Sequence, residues 1–290
     1  MAKARQFQKF ILCADDFGFT PGVSEGILEL VSKGRLSAVS CMATTDHFPD
    51  AVAALTRFEG QVDIGLHVVL TDLPPLGDMP STTVGGRLPN FGTLAKSAIF
   101  GRLDLQEVAG EVSRQLGLFE DTFGRPPDFI DGHHHVHQLP GIGEQILDII
   151  EARLAGHLPY VRGCREPLPV ILRRGVHPFR TFLIGWFGGA FVRKARARGV
   201  PVTGGFSGIY DFAGRQPYDY LFDRFTQGLR MNSLIMCHPG FVDDALTRID
   251  SLTTQRKEEF DFLNSERFLE AMEKKNLSLG RFEKGSDTVS

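Results

Sequence analysis

Seven short apolar runs recur along the chain, each followed by a longer segment of helical periodicity, and this alternation restricts the fold more than any other feature. The runs fall at 10–14, 37–43, 62–66, 128–131, 160–162, 201–204 and 233–237. Helical patterns fill 21–33, 48–58, 105–123, 141–154, 182–198, 218–229 and 253–274. Strands that are apolar throughout need cover on both faces, which a parallel sheet wrapped by helices supplies. No Gly-x-Gly-x-x-Gly follows the first run, so a dinucleotide-binding sheet is disfavoured. Seven such units make a (β/α) barrel the expected α/β fold. With no internal repeat or low-complexity linker, residues 1–290 read as a single domain, a length one barrel accommodates.

Two segments break the rhythm. Residues 71–102 are rich in proline and glycine and read as an irregular loop insertion, a length usually reserved for function. Residues 181–192 are apolar almost all round. They are too short to span a bilayer and read first as a buried helix. A subunit contact, implying a homodimer, is the second reading, and a surface for an apolar substrate the third. The net charge of −3, with acids and bases intermixed, gives no field for nucleic acid. No apolar run reaches membrane-span length. The basic start leads straight into the first strand and does not read as a signal peptide. Cys13, Cys41, Cys164 and Cys237 form no Cys-x-x-Cys pair and read as buried free thiols, so a cytoplasmic location is the default. The polar tail, 280–290, is expected to fray.

The chemistry of a barrel collects where its strands end and the following loops begin. Five of the seven runs end on ionisable groups: Asp15-Asp16, His67, Asp131 with His133-His134-His135 and His137, Arg162, and His238. Thr20 before Pro21 already supplies the cap of the next helix, which leaves the two aspartates without a structural task. Two adjacent carboxylates repel unless a cation lies between them or one is protonated, and a divalent metal is the economical answer. One aspartate then acts as ligand and its neighbour as base. His133, first after its strand, is the best ligand in the histidine cluster, with His135 and His137 in the pocket or behind it. His134 is the bystander, facing away or bonding the backbone. Asp131 is placed to orient an imidazole from behind. One aspartate with two histidines suits zinc, manganese, cobalt or nickel, and magnesium less naturally. Three protein ligands leave coordination positions open, as a catalytic site requires.

Ala14-Asp-Asp-Phe-Gly18, Gly65-Leu-His67 with Leu70-Thr71, Asp131-Gly-His-His-His-Val-His137 and Cys237-His-Pro239 together resemble the YdjC-like carbohydrate deacetylases. That group contains the chitooligosaccharide and hopanoid-biosynthesis deacetylases. The resemblance implies an irregular seven-stranded (β/α) TIM-like barrel of the polysaccharide-deacetylase type, one divalent metal (zinc or magnesium) and removal of the acetyl group from N-acetylated amino sugars. By the same resemblance Asp16, His67 and His133 correspond to metal ligands, Asp15 to the catalytic base and His238 to the acid for the leaving amine. Arg162 resembles the arginine that orients the base. The histidine cluster looks closer to the chitooligosaccharide branch. Deacetylation of a lipid-linked N-acetylglucosaminyl substrate, or metal-dependent sugar binding without turnover, are the alternatives. A glycosidase wants two separated carboxylates flanking the bond, and no second strand-end glutamate exists. A two-metal phosphoesterase would use more carboxylates, and no Gly-x-Ser-x-Gly occurs.

Overall fold

The computed structural model describes residues 7–285. Seven parallel strands follow in chain order: β1 (Gln8–Phe17), β2 (Ala38–Cys41), β3 (Asp63–Val68), β4 (Phe129–Gly132), β5 (Tyr160–Val161), β6 (Gly205–Ser207) and β7 (Ser233–Cys237). Successive strands pair from β1 to β5 and from β6 to β7, and β7 returns to pair with β1. The remaining seam is one bridge, Val161 to Val202, where Val161 N–H donates to the Pro201 carbonyl and Thr203 N–H to that of Val161. The barrel is therefore closed, and irregular at that seam. Helices α1 (Pro21–Ser32), α2 (Phe48–Thr56), α3 (Phe91–Ile99), α4 (Leu105–Phe123) and α5 (Ile142–Arg153) follow the first four strands. Later come α6 (Leu168–Arg174), α7 (Pro178–Ala197), α8 (Tyr218–Phe225), α9 (Asp244–Ile249), α10 (Thr254–Leu263) and α11 (Glu266–Lys274). Thr20 caps α1 as its sequence predicts, its hydroxyl accepting from Val23 N–H.

Strand alternation sorts the side chains into two cores. Ile11, Cys13, Ala38, Phe129, Tyr160, Leu234 and Met236 fill the barrel interior. Phe10, Leu12, Ala14, Val39, Ile64, Leu66 and Ile130 face the helices. Gly65 lies against the Phe129 ring, and a Cβ there would come within 2.5 Å of ring carbons. A glycine is what lets an aromatic plug the interior at that level. Following the inward register one step beyond the plug gives Asp15, Ser40, His67, Asp131 and Arg162, one from each of five adjacent strands. The fold thus turns a period-two pattern into a polar ring at the carboxyl ends of the strands.

The structure corrects several boundaries. The final helix divides into α10 and α11 at Asn264–Ser265. The expected strand at 201–204 starts later, at Gly205, with only Val202 bridged ahead of it. The loop at 71–102 contains α3, and the sequence reading also misses α6 and α9. Helix 182–198 begins four residues earlier and is not buried all round: Phe179, Phe182, Leu183 and Trp186 are exposed. The first part of the tail does not fray. Strand β8 (Leu277–Leu279) pairs with Gln8–Phe10, Arg281 bonds Asp63 at 2.6 Å, and Phe282 stacks on Tyr160 at 4.2 Å. Residues 1–6 and 286–290, which carry the rest of the terminal expectations, lie outside the described residues. All four cysteines are free and buried.

Candidate active site

Asp15 and Asp16 reach the same space because the end of β1 is bulged. Its pairing with β2 shifts register between Ala14 and Phe17, and Asp16 takes a left-handed φ of 69°. An aspartate tolerates that region better than most residues, at a cost of order 1–3 kcal/mol. The bulge cancels the usual alternation, so both carboxylates turn inward.

Asp15 is held in a two-pronged ion pair by Arg162: Nη2 to Oδ1 at 2.6 Å and Nη1 to Oδ2 at 2.7 Å. Burial by itself raises the Asp15 carboxyl, but the guanidinium outweighs it and holds the group well below the usual carboxylate range. Arg162 is fully buried and also pairs with Asp131, so it braces β1 against β4. His137 is buried too. Its Nε2 donates to the Arg162 carbonyl at 2.9 Å, and its ring packs edge-on against Phe191. Burial lowers its pKa to about 4 despite the pull of Asp131, so it is a neutral brace behind β5 and not part of the cavity wall.

Asp16 divides its two oxygens. Oδ2 accepts from Arg256 Nη2 at 2.6 Å, while Oδ1 faces His133 Nδ1 at 3.2 Å and His67 Nε2 at 3.4 Å. His67 Nδ1 donates to Asp131 Oδ1 at 2.7 Å, and Ser40 Oγ lies 2.5 Å from the same oxygen. Asp131 thereby fixes the imidazole with Nε2 aimed at Asp16, the carboxylate–histidine arrangement that supports metal ligands. Burial depresses the His67 pKa, yet Asp131 and Asp16 overcome it and raise the value to about 10 in the metal-free protein. Asp16 stays far below its ordinary value: burial raises it, and Arg256 with the two imidazoles more than offsets that.

The ligand atoms of Asp16, His67 and His133 all lie within 4.8 Å of one another. Two donors each about 2.1 Å from one ion sit roughly 3.0–3.4 Å apart, so the 3.2 and 3.4 Å separations fit a shared centre. Charge agrees. Three buried aspartates (15, 16 and 131) face two buried arginines (162 and 256), and a proton on His67 offsets part of the excess negative charge. A divalent cation can take the place of that proton.

The remaining histidines divide. His134 and His135 take left-handed φ values of 53° and 60°, which breaks any extended or helical register in the cluster. His134 lies at the rim with Nδ1 3.0 Å from Thr71 Oγ1, its ring 3.9 Å from that of His133 and 6.0 Å from Phe91 on α3. It bonds a side chain of the irregular segment, not the backbone, and so ties 71–102 to the site. His135 is half-buried, edge-on to Phe206 and 3.8 Å from Cys164 Sγ. His238 follows β7; burial lowers its pKa to about 4 against the pull of Asp16 and Asp15. Its buried Nδ1 has no hydrogen-bond partner among the described residues. Burial pushes the Cys13, Cys41 and Cys237 thiols well up, so none is a ready nucleophile.

Three participants escape the sequence reading. Arg256 and Glu259 project inward from α10, where they occupy the helical face shared by Phe260 and Leu263. Glu259 accepts from His238 N–H at 2.5 Å and from the Tyr210 hydroxyl at 2.6 Å. Its pKa rises to about 7 through burial, although Tyr210, the His238 N–H and Arg256 pull it down. Ser40, the third, carried a usable signal as the polar residue on the inward register of β2; nothing in the charged run of α10 marks Arg256. A cavity of about 550 Å³ opens at the far end of the barrel between residues 7–11 and 280–283, away from these strand ends.

The geometry can be set beside known proteins. The family model described as YdjC-like protein matches residues 9–274. A chitooligosaccharide deacetylase from Enterobacter sp. (strain 638) is 30% identical over 276 residues, covering 94% of this chain and 97% of that protein. Another, from Serratia marcescens, is 40% identical over 143 residues, 49% of this chain and 54% of that protein. Among solved structures, a protein of Enterococcus faecalis V583 described as a candidate for cellobiose-phosphate cleavage superposes with a TM-score of 0.74 at 23% identity. It covers 95% of this chain and 98% of its own, and shares the fold. By the extent of the family match and of the Enterobacter relative, the chain belongs to the YdjC-like family.

Proposed function

We propose that this protein is a metal-dependent carbohydrate N-deacetylase that hydrolyses the acetamide of N-acetylated amino sugars, chitooligosaccharides being the favoured class. The barrel acts as one catalytic domain in this reading. The observation that carries it is the clustering of Asp16, His67 and His133 beside a base locked by Arg162 and an imidazole, His238, whose Nδ1 has no hydrogen-bond partner among the described residues, all at one barrel end. Near full-length relatives named chitooligosaccharide deacetylase support the substrate class.

Asp16, His67 and His133 would hold the ion, and their mixed nitrogen and oxygen set favours zinc, manganese, cobalt or nickel over magnesium. A divalent ion bound there supplies Lewis acidity toward an amide carbonyl and acidifies water. Asp15 is the proton acceptor. Its pairing with Arg162 makes it a weak base, one that takes a proton only from a strongly acidified water and gives it up readily. Arg162 also keeps the carboxylate from rotating away, because Asp131 holds the same guanidinium from the other side. His238 begins neutral, and its unpartnered Nδ1 is free to receive a proton. The proton that Asp15 takes from water passes to His238 and from there to the amide nitrogen, so the amine departs as the C–N bond breaks, leaving acetate.

The test is acetate release from N,N′-diacetylchitobiose and longer β-1,4 oligomers by metal-loaded wild type and Asp15→Asn. The variant should lose about 10²–10⁴-fold in kcat while binding metal as before. A folded Asp15→Asn protein turning over at the wild-type rate would remove Asp15 from its role. Absence of acetate from every amino sugar with any divalent metal would remove the reading.

A further inference from the structure

Helix α7 is apolar on both faces. Thr181, Gly188, Phe191, Val192 and Ala195 are buried toward the barrel. On the outside Phe179, Phe182, Leu183 and Trp186 recur at i, i+3, i+4 and i+7, so they form one stripe, with Phe179 78% and Trp186 70% exposed. The Phe182 and Trp186 rings lie 6.3 Å apart, making the stripe continuous. Contiguous apolar surface of this kind marks an interaction site.

The charges around it select the partner. Between residues 165 and 198 fall eight of the chain's 32 basic residues and one of its 35 acidic ones. This positive segment belongs to a protein of net charge −3. Lys194 and Arg198 are engaged by Glu144 and Asp148 on α5, and Arg174 by Glu166. Arg165, Arg173, Arg180, Arg193 and Arg196 have no carboxylate partner among the described residues. Arg193 continues the stripe two turns beyond Trp186, and both it and Arg165 pass over Gly189. A second copy of this chain is a poor occupant, since pairing like faces would bring two positive surfaces together.

We propose that this face of α7 docks on an anionic membrane surface. Phe179, Phe182, Leu183 and Trp186 enter the boundary between headgroups and acyl chains, and Arg165, Arg173, Arg193 and Arg196 meet lipid phosphates. No helix among the described residues is long and apolar enough to cross a membrane, so the contact is interfacial. The docked helix lies beside the active-site mouth. Arg180 donates to the Tyr210 carbonyl at 3.1 Å and covers the Phe212 ring, whose edge meets His238 at 5.3 Å. Docking therefore sets the mouth close to the headgroup layer.

Trp186 is the only tryptophan in the sequence, so its emission reports on this face alone. The experiment mixes the full chain with vesicles of phosphatidylcholine, or of phosphatidylcholine and phosphatidylglycerol, and reads Trp emission and co-flotation. A blue shift and flotation are expected with the anionic vesicles only, weakening as salt rises. Arg165→Glu with Arg193→Glu should weaken partitioning more than about tenfold, each basic residue contributing roughly fivefold. Phe179→Ser with Trp186→Ser should abolish flotation, both variants melting as the wild type does. Failure of the folded wild type to float with anionic vesicles at low salt overturns the proposal. So does a vesicle-independent, concentration-dependent emission shift of the wild type accompanied by a dimer in sedimentation that the Ser variants dissolve, which would make the face a self-association surface. Because binding is scored without turnover, the outcome is independent of the catalytic reading.

Discussion

Asp131→Asn isolates the device that aims His67. In the wild type Asp131 Oδ1 accepts from His67 Nδ1 at 2.7 Å and Ser40 Oγ at 2.5 Å, while Oδ2 pairs with Arg162. Asparagine has nearly the same shape but only one acceptor oxygen. If that oxygen faces His67, the amide N–H₂ confronts Arg162, donor against donor, in a fully buried place. Turned the other way, the N–H₂ faces Nδ1 and forces the imidazole proton onto Nε2, the atom that faces Asp16. Both orientations lose something, and the second removes a metal donor outright. Loss of a supporting carboxylate typically costs about 10–100-fold in metal affinity, equal to roughly 1.4–2.8 kcal/mol. Arg162 keeps its two-pronged pair with Asp15, so the stability loss should fall below the ~3–5 kcal/mol of a fully broken buried pair. Calorimetric titration of metal-stripped protein with zinc or cobalt, beside a melting curve, reads both quantities. A folded variant that binds either metal within twofold of wild type would refute the orienting role.

Other outcomes follow from the same geometry. Arg256→Ala leaves Asp16 buried without its guanidinium, so the metal-free protein should lose about 3–5 kcal/mol; zinc should then raise its Tm more than it raises the wild type's, and an equal or smaller increment in a thermal-shift assay would count against the pairing. In the metal-free protein the His67 pKa stands near 10, above its unfolded value of 6.5. Its contribution to stability is therefore complete below about pH 6.5 and lost as pH rises through 10. Metal binding must displace that proton, so affinity should rise with pH over this window, with about one proton released per ion near pH 8. Titrations in buffers of different ionisation enthalpy measure the release, and a count of zero contradicts the assignment. Glu259, raised to about 7 by burial, favours its protonated form in the folded state, so its contribution declines as pH climbs from the unfolded value of 4.5 through 7. Glu259→Gln keeps an acceptor for His238 N–H and turns its N–H₂ to the Tyr210 oxygen, whose hydroxyl then accepts where it had donated; its Tm should gain on wild type as pH rises from 5 to 8, and parallel Tm profiles would show that the carboxyl does not titrate there.

The barrel was legible because its strands are short, apolar and evenly spaced, and the family motifs sit where four of them end. The inward register also explains why Asp131 and Arg162 meet, since strand order places β4 and β5 side by side. Arg256 and Glu259 were not legible. In the run Thr254-Gln-Arg-Lys-Glu-Glu259 they resemble a solvated helix face, and only tertiary packing turns two of those charges inward. The histidine cluster misled through its backbone. Neither an extended nor a helical register anticipates two successive left-handed residues, which send His134 to the rim and His137 behind β5. The apolar α7 was read as interior because periodicity reports which residues are greasy and is silent on which side finds a neighbour.

The way β1 is embedded sets an order of events for a chain leaving the ribosome. Its partners are β2, close in sequence, and β7 and β8, whose residues begin at Ser233 and Leu277. Until those arrive, β1 has one free edge, and joining it requires closure of a loop longer than two hundred residues, a slow class of contact. Arg256, which neutralises the outer oxygen of Asp16, emerges only after β7. The chain must therefore extend past Arg256 before the aspartate pair is framed on both sides. The setting of the two carboxylates is thus a late, long-range product of folding and not a local property of β1.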